Sequence, residues 1–289
     1  MTKDHQLSAS GLALGYGDAP VIRDLDLELA PGEITVIVGS NGCGKSTLLK
    51  SMARLLAPLR GSVVLDGREI HRMPTKEVAR VMGLLAQSPI APEGIVVSDL
   101  VGRGRYPHQG VFARWSSEDE RAVAEALAVT NTLELAERPV DELSGGQRQR
   151  VWIAMVLAQQ SELLLLDEPT TFLDVTHQVE VLDLLTDLNR SRGTTIAMVL
   201  HDLNLAARYA DRLVAVHGGT VHAQGASEDV LTEETVEEVF GLRSRVVPDP
   251  VSGRPLVLPL GRHHSGPPEP LSRPAPPSRC RSSGSHPSR

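Results

Sequence analysis

The 289-residue sequence has few cysteines, only 3% aromatic residues and no long hydrophobic run. Its two cysteines, Cys43 and Cys280, show no metal-ligand spacing and exclude a disulfide framework as an organising principle. The longest apolar runs fall well short of the roughly 20 residues that a membrane-spanning helix needs. The N-terminal segment MTKDHQLSAS lacks the basic start and apolar stretch of a secretory signal, so we expect the chain to stay in the cytoplasm.

The chain also lacks an excess of basic residues. It has 29 Lys and Arg against 36 Asp and Glu, a formal net charge of -7. A nucleic-acid partner usually requires a basic face, so the total charge argues against one, although clustering of charge can overrule the total. The 41% of apolar residues suffices for the core of one large domain or two small ones.

The order of apolar patterns along the chain predicts an α/β fold with two additions. Alternating segments over residues 7–29 predict antiparallel strands. Residues 88–160 turn largely helical, with Ser117 and Glu120 placed as a capping box, and we interpret them as an inserted helical subdomain. The runs ELLLLD and TTIAMVLH, with a helical stretch over 175–189 between them, predict buried parallel strands.

The C-terminal segment differs in composition from the rest. Residues 262–289 are rich in Pro, Ser and Arg, with Glu269 as their only acid. Such a segment cannot bury enough apolar surface to fold, so we predict a disordered tail. We therefore divide the chain into a folded domain over residues 6–261 and a tail over 262–289.

The stretch GSNGCGKST matches the phosphate-loop pattern G-x-x-x-x-G-K-[ST]. It follows the predicted strand ITVIVG and precedes a predicted helix over 47–56, which is the context that the pattern requires. Glycines let backbone N–H groups wrap phosphates, Lys45 reaches the outer phosphates, and the Ser46 hydroxyl takes a place on Mg²⁺. Nucleotide binding is thus predicted for Gly39, Ser40, Asn41, Gly42, Cys43, Gly44, Lys45, Ser46 and Thr47. Cys43 is expected to be a small filler, although its oxidation would block the loop.

The segment LLLLDEP supplies two adjacent carboxylates. A strand that ends in Asp167 places this acid beside the phosphate loop, where it can hold Mg²⁺. Glu168 follows at once and can orient or deprotonate the attacking water, which turns nucleotide binding into hydrolysis. The alternative is that Asp167 merely caps the next segment.

The segment LSGGQ stands before another helical run. Its residues Ser144, Gly145, Gly146 and Gln147 therefore lie at a predicted helix N-terminus, which attracts an anion. From the residues alone, a capped helix start without a ligand explains the same pattern.

These motifs, in this order and with a downstream histidine, resemble those of the nucleotide-binding subunits of ABC transporters over about Leu7 to Gly261. The resemblance implies a P-loop NTPase core with an antiparallel β subdomain and an inserted α-helical subdomain. It also implies ATP and Mg²⁺ as cofactors and a homodimer that sandwiches two ATP molecules. In such a dimer, Ser144, Gly145, Gly146 and Gln147 of one copy close on the γ-phosphate held by the other.

The resemblance assigns four further positions. Tyr16 corresponds to the aromatic residue that stacks on adenine, and Gln87 to the glutamine that reaches Mg²⁺ and the attacking water. His201 corresponds to the switch histidine at the γ-phosphate, and Asp174 to the acid of the dimer-contact loop. Phe172 departs from the small apolar residue that is usual there. An ordinary strand aromatic, a surface glutamine and a structural histidine remain the alternatives for the first three.

The chain resembles ferric siderophore importers, especially the ferric enterobactin type, in three segments: LVGRGRYPHQGVFARW over residues 100–115, TVHAQG and DPVSGRPLVLPLG. This implies two integral-membrane permease subunits, a place at the cytoplasmic face of the membrane, and a periplasmic or lipid-anchored substrate-binding protein that acts indirectly. Importers of vitamin B12 or haem are the alternative. A soluble ABC-type ATPase and a regulatory subunit that binds ATP without turnover also stay open, and GRGRYPH can be a solvated basic loop.

Overall fold

The structure is a computed structural model that describes residues 5–17, 19–110 and 115–261. The tail predicted over 262–289 lies outside the described residues. The strands are β1 (Leu7–Tyr16), β2 (Ala19–Leu29), β3 (Ile34–Gly39), β4 (Arg60–Leu65), β5 (Arg68–Glu69), β6 (Met82–Leu85), β7 (Leu163–Asp167), β8 (Thr195–Val199), β9 (Arg212–His217), β10 (Thr220–Gly225), β11 (Ser244–Pro248) and β12 (Pro255–Pro259).

The helices alternate with these strands and include one all-helical stretch between β6 and β7. They are α1 (Lys45–Met52), α2 (Thr75–Val81), α3 (Val97–Gly102), α4 (Ser117–Val129), α5 (Gly145–Ala158), α6 (Val175–Arg192), α7 (Leu203–Tyr209), α8 (Ser227–Val230) and α9 (Glu233–Phe240). Single 3-10 turns cover Ile70–Arg72, Arg103–Arg105, Leu133–Leu135 and Val140–Glu142. Among the described residues, no helix is both long and apolar enough to cross a membrane.

The central sheet has the strand order β10-β9-β3-β8-β7-β6, and all neighbours are parallel except β10 and β9. Every residue of β3, β7 and β8 is buried, which confirms the predicted buried parallel strands. Because the strands are parallel, the carboxyl ends of β3, β6, β7 and β8 meet at one edge of the sheet. This edge is where ligands bind in open α/β sheets.

Two hydrophobic cores cover the two faces of this sheet. On one face, α1 and the antiparallel sheet β2-β1-β4-β5 pack against alternate residues of the central strands, such as Ile37 and Leu165. On the other face, the helices α3, α4 and α5 contribute to a core that includes Val36 and Leu164. The predicted fold class, a P-loop NTPase core with an antiparallel β subdomain and an inserted helical subdomain, is confirmed. The boundaries 6–261 and 88–160 remain predictions.

The capping box predicted for Ser117 and Glu120 is wrong by one residue. Helix α4 begins at Ser117, and its N-cap is Ser116, whose Oγ accepts a hydrogen bond from the Asp119 backbone N at 3.2 Å. Asp119 in turn accepts a bond from the Ser116 backbone N at 3.1 Å. Ser116 has extended backbone angles, as an N-cap requires, and the inward direction of Asp119 lets it pair with a buried arginine, Arg105.

Candidate active site

The glycine-rich loop between β3 and α1 packs directly against neighbouring backbone. A Cβ atom on Gly39 would lie 2.3 Å from the carbonyl oxygen of Val216, which follows from the close approach of the loop to the end of β9. A Cβ atom on Gly44, with φ +107°, would lie 2.5 Å from Cδ1 of Ile22. Packing therefore requires glycine at both positions, in addition to the access to backbone N–H groups that a bound phosphate needs.

The side chain of Lys45 lies inside this loop and is 5% exposed. Its Nζ donates hydrogen bonds to the carbonyl oxygens of Gly39 at 2.9 Å and of Ser40 at 3.0 Å. Cys43 is buried, and its Sγ lies 3.9 Å from the same Nζ. The loop thus holds a buried positive charge at the place where the sequence predicts phosphates, while Asn41 and Gly42 form its exposed turn and Thr47 is buried in α1.

Ser46 and Asp167 meet across the loop. The Ser46 hydroxyl donates to Oδ1 of Asp167 at 2.9 Å, and Asp167 is 2% exposed at the end of β7. Burial is the largest influence on the pKa of Asp167 and raises it. The hydrogen bond from Ser46 lowers this pKa, and the nearby Glu168 charge raises it further. The Oδ2 atom of Asp167 is buried and has no hydrogen-bond partner within the described part of the chain. A hydroxyl beside an unpaired buried carboxylate oxygen fits a hard divalent cation such as Mg²⁺.

Glu168 is brought together with Gln87 and His201 at the same sheet edge. Its Oε1 accepts a bond from Gln87 Nε2 at 2.8 Å and lies 2.7 Å from His201 Nε2. Gln87 and His201 follow β6 and β8, the two strands that flank β7 in the sheet, so the parallel topology explains the meeting. Glu168 itself has a left-handed backbone with φ +56°, a conformation that is uncommon for non-glycine residues and occurs at active sites as well as in turns.

The environment of Glu168 favours its ionised form. Burial acts to raise the pKa of this carboxyl, but hydrogen bonds from His201, Gln87 and Thr171 outweigh burial and hold the pKa below its usual value. Thr171 Oγ1 donates to Oε2 at 3.1 Å. A carboxylate that is ionised and fixed by three partners is suited to orient a water molecule and to accept its proton.

Ser144 caps helix α5 rather than contacting the phosphate loop. Its Oγ accepts a bond from the Gln147 backbone N at 3.2 Å, and Gln147 Oε1 accepts one from the Ser144 backbone N at 3.1 Å. The helix begins at Gly145, two residues before Gln147, where the apolar pattern of the sequence predicts the helical run to begin. Ser144 and Gly145 are exposed, so this helix N-terminus faces away from the protein interior and can receive an anion from outside.

The segment beside this helix start carries Phe172 and Asp174. A Cβ on Gly145 would lie 3.5 Å from Cβ of Phe172, which is 74% exposed and has φ +68°. Asp174 is exposed and caps α6 by accepting a bond from the His177 backbone N at 3.0 Å. Tyr16, at the far end of β1, is 60% exposed. The structure places these residues at the surface, and within the described part of the chain none of their side chains is hydrogen-bonded to Glu168.

Two residues of the site were missed from the sequence. Thr171 fixes the second oxygen of Glu168, and Gln149, which is buried in α5, donates from Nε2 to the Pro169 carbonyl oxygen at 3.0 Å. The spacing of Thr171 three residues after Glu168 in DEPTT is the signal that would have identified it, because a turn after a strand lets a hydroxyl reach back. Gln149 lies within an otherwise apolar helix face and offered no such signal.

Comparisons with known proteins define the family. The family model described as ABC transporter matches residues 22–171. The achromobactin transport ATP-binding protein CbrD of Dickeya dadantii is 59% identical over 256 residues, which cover 89% of this chain and 95% of that protein. The ferric enterobactin transport ATP-binding protein FepC of Escherichia coli is 53% identical over 257 residues, which cover 89% and 95%. A solved dimeric post-hydrolysis state of the ATP-binding cassette MJ0796, bound to ADP and Pi, is similar with a TM-score of 0.69 at 27% identity, covering 76% of this chain and 98% of that one.

The chain belongs to the ABC transporter family. Within that family it is similar to ATP-binding subunits of siderophore importers, as the sequence predicted. The chain is an ATPase, and ATP is the nucleotide that it binds.

Proposed function

We propose that this chain is the ATP-hydrolysing subunit that energises import of a ferric siderophore through separate membrane permeases. The observation that carries this proposal is the match of 89% of the chain to relatives that are named for achromobactin and ferric enterobactin transport. Because that match extends well beyond residues 22–171, it includes chain outside the nucleotide-binding motifs. Vitamin B12 and haem importers remain the alternatives that experiment has to separate.

For hydrolysis, we assign Mg²⁺ to Ser46, Asp167 and Gln87. The paired Ser46 and Asp167 oxygens and the unpaired Oδ2 support the first two ligands. Gln87 contacts Glu168 at 2.8 Å and can therefore reach both the metal and the attacking water. When bound, Mg²⁺ neutralises charge that develops on the phosphate oxygens. Lys45 binds the outer phosphates from within the loop.

Glu168 is the residue to which we assign the proton of the attacking water. Its lowered pKa keeps the carboxylate ionised at neutral pH, and Gln87, Thr171 and His201 fix its orientation. His201 is 48% exposed at its side chain, so it can contact a γ-phosphate while it holds Glu168. Tyr16 offers an exposed ring for stacking on adenine.

The complete site requires a second copy of the chain. The helix start has Ser144 and Gly145 exposed and Gly146 and Gln147 half-buried. Among the described residues, none of their side chains bonds to the phosphate loop of the same chain. The solved cassette of similar fold is dimeric. In a homodimer, the helix start of one copy closes on the γ-phosphate held by the other, with Asp174 and Phe172 at the contact between copies.

A groove in the helical subdomain is the surface that we assign to a permease. This docking groove, with a volume of about 670 Å³, is lined by α3, α4 and the segment around Tyr106 and Trp115. The two aromatic side chains are 59% and 49% exposed, which is unusual in a chain with 3% aromatic residues. Exposed aromatics beside a groove of mixed apolar and polar lining are typical of docking surfaces. Two docked permeases would hold the dimer at the cytoplasmic face of the membrane.

Uptake of radiolabelled iron tests this function. The chain would be purified with its membrane subunits, reconstituted in proteoliposomes and supplied with binding protein and ferric siderophore. We expect ATP-dependent uptake that Lys45→Ala abolishes and that the control Arg190→Ala, at an exposed position of α6, retains. Uptake of vitamin B12 or haem in place of the siderophore would establish the alternative, and no uptake of any of the three would refute an importer.

A further inference from the structure

The segment that follows α3 approaches α5 at backbone distance. A Cβ on Gly104 would lie 2.2 Å from the Met155 carbonyl oxygen and 3.3 Å from Cβ of Ala158. A Cβ on Gly102 would lie 3.0 Å from the Trp115 ring. The two glycines of GRGRY therefore face different neighbours: Gly102 faces the docking groove, and Gly104 faces the C-terminal turn of α5. The contact of Gly104 with the Met155 backbone leaves no room for a larger residue, whereas a larger residue at Gly102 would require the Trp115 ring to shift.

Arg105 is turned away from solvent and is 2% exposed. Its Nε donates to Oδ1 of Asp119 at 2.9 Å, and its Nη1 donates to the Ala158 carbonyl oxygen at 2.9 Å and to Oε1 of Gln160 at 3.0 Å. Asp119 belongs to the capping box of α4. One guanidinium thus joins the start of α4 to the end of α5, and its fixed fork of donors is what makes this double contact possible.

A second side chain of the same segment binds the same helix end. His108 Nε2 lies 2.7 Å from the Gln159 carbonyl oxygen. The last carbonyl groups of an α-helix have no partner within the helix and carry a partial negative charge, so donors and cations are favourable there. We call the contacts of Arg105 and His108 with Ala158, Gln159 and Gln160 the α5 latch.

Helix α5 connects this latch to Ser144. It has 14 residues, and at 1.5 Å per residue it is about 20 Å long. Its residues Val151, Ile153 and Ala154 are at most 1% exposed, so the helix is packed along its length. A close-packed helix that is bonded at both ends moves as one body, because its neighbours do not deform continuously.

We propose that Arg105, assisted by His108, is the positioning residue through which a permease in the docking groove acts on Ser144. This inference rests on the proposed function, because it requires a partner in that groove. Tyr106 and Trp115 receive the partner, Arg105 holds the adjoining backbone to the end of α5, and α5 carries the displacement to the helix start that closes on ATP. Arg105 contacts no nucleotide.

The test compares ATP hydrolysis by the isolated chain with hydrolysis by its complex with the co-purified membrane subunits in lipid nanodiscs. Arg105→Lys keeps a charge beside Asp119 but loses the guanidinium fork, whose Nε and Nη1 bind Asp119 and the end of α5 from two separate nitrogen atoms. We expect its isolated rate to stay within about twofold of wild type, and the stimulation by the membrane subunits to fall about tenfold. The exposed Arg121→Lys on α4 is the matched control and should keep the full stimulation.

A merely structural role of Arg105 predicts a different pattern, in which isolated and stimulated rates fall together with the melting temperature. That pattern, or full stimulation of Arg105→Lys, would overturn the inference. If Arg105→Lys does not fold, His108→Ala decides instead, because His108 is exposed and its loss removes only one contact of the latch. His108→Ala should lower the stimulation about threefold, and no change there would overturn the inference. A wild-type complex without stimulation would overturn the proposed function, and the inference with it.

Discussion

Nε2 of His201 lies 2.7 Å from Oε1 of Glu168, at the carboxyl edge of the central sheet. The two residues follow β8 and β7, which are neighbouring parallel strands, so their contact depends on the sheet and not on a local turn. The contact ties the residue assigned to water to the residue assigned to the γ-phosphate. A change at either position is therefore expected to affect hydrolysis more than ATP binding.

Glu168→Gln should bind ATP and turn it over about 10²–10⁴-fold more slowly, because it loses the proton acceptor but keeps the volume. ATP that is not hydrolysed should then hold the dimer closed. Gel filtration with ATP and Mg²⁺ and a phosphate-release assay measure the two effects. The exposed Glu180→Gln on α6 is the control and should behave like wild type. A Glu168→Gln variant that stays monomeric with ATP would contradict the sandwich mechanism.

Ser144→Ala should lower the rate of hydrolysis while the affinity for ATP stays nearly unchanged. The substitution also removes an N-cap, which costs about 1 kcal/mol of stability. Ser116→Ala is a matched control, because it removes the same kind of capping box from α4 without touching the site. Equal losses of hydrolysis in the two variants would mean that Ser144 acts only as a cap.

Mixing two impaired variants, Lys45→Ala and Ser144→Ala, tests whether the phosphate loop and the helix start at Ser144 act from opposite copies of the chain. In a dimer of Lys45→Ala with Ser144→Ala, action in trans places both substitutions in one site and leaves the other site intact. Action within one chain would damage both sites. We therefore expect the mixture to have more ATPase activity than either variant alone. Steady-state phosphate release at a fixed total concentration measures this, and a mixture that is no more active than the average of the two variants would contradict the trans arrangement.

Asp167→Asn should stabilise the nucleotide-free chain although it abolishes hydrolysis. The substitution removes a buried charge whose Oδ2 has no bond within the described residues, which is worth about 1 kcal/mol or a Tm rise of roughly 2–4 °C. The exposed Asp24→Asn is the control and should leave Tm unchanged. A lowered Tm for Asp167→Asn at neutral pH would show that the carboxylate is well compensated.

The stability gain of Asp167→Asn should depend on pH. Because the folded-state pKa of Asp167 is raised, the folded chain binds this proton more tightly than the unfolded chain. Its contribution therefore favours folding below the pKa of an unfolded aspartic acid, and it is lost as the pH rises through the higher folded-state pKa. The Tm difference between Asp167→Asn and wild type should accordingly shrink as the pH is lowered through this window.

Gly39→Ala should destabilise the chain more than Gly42→Ala. Both glycines have positive φ, but only a Cβ on Gly39 would meet backbone, at 2.3 Å from the Val216 carbonyl oxygen, while one on Gly42 meets nothing within 4 Å. We expect Gly39→Ala to cost at least about 2 kcal/mol more than Gly42→Ala. Urea unfolding of both variants measures the difference, and equal midpoints would show that the loop shifts freely.

The sequence predicted the parts of the site that lie on contiguous motifs. The phosphate loop directly follows one buried strand, and Glu168 directly follows another that ends in Asp167. A local sequence pattern therefore predicts each strand together with the functional residues at its end. The contact between Glu168, Gln87 and His201 needed the resemblance to a family, because the strand order of a sheet is not written in any one segment. Thr171 was missed although its signal is local, three residues after Glu168, and Gln149 was missed because its helix face is otherwise apolar.

The segment GRGRYPH shows the limit of reading charge from composition. A solvated basic loop was one interpretation, and it holds for Arg103, which is exposed, but is wrong for Arg105, which is 2% exposed. Only packing against Asp119 and the end of α5 distinguishes the two arginines. The error of one residue in the predicted capping box also reflects packing that composition does not reveal. Asp119, and not Glu120, pairs with the buried guanidinium of Arg105.

The ammonium of Lys45 has three donors, and two of them bind the Gly39 and Ser40 carbonyl oxygens. The soft Cys43 thiol lies 3.9 Å from the same Nζ and competes poorly for a proton donor. A phosphate oxygen can therefore accept a hydrogen bond from the third donor of Lys45 while the bonds to Gly39 and Ser40 remain. We therefore expect ATP to add one hydrogen bond at Lys45 to a loop that is already formed, without refolding of the loop around each incoming nucleotide.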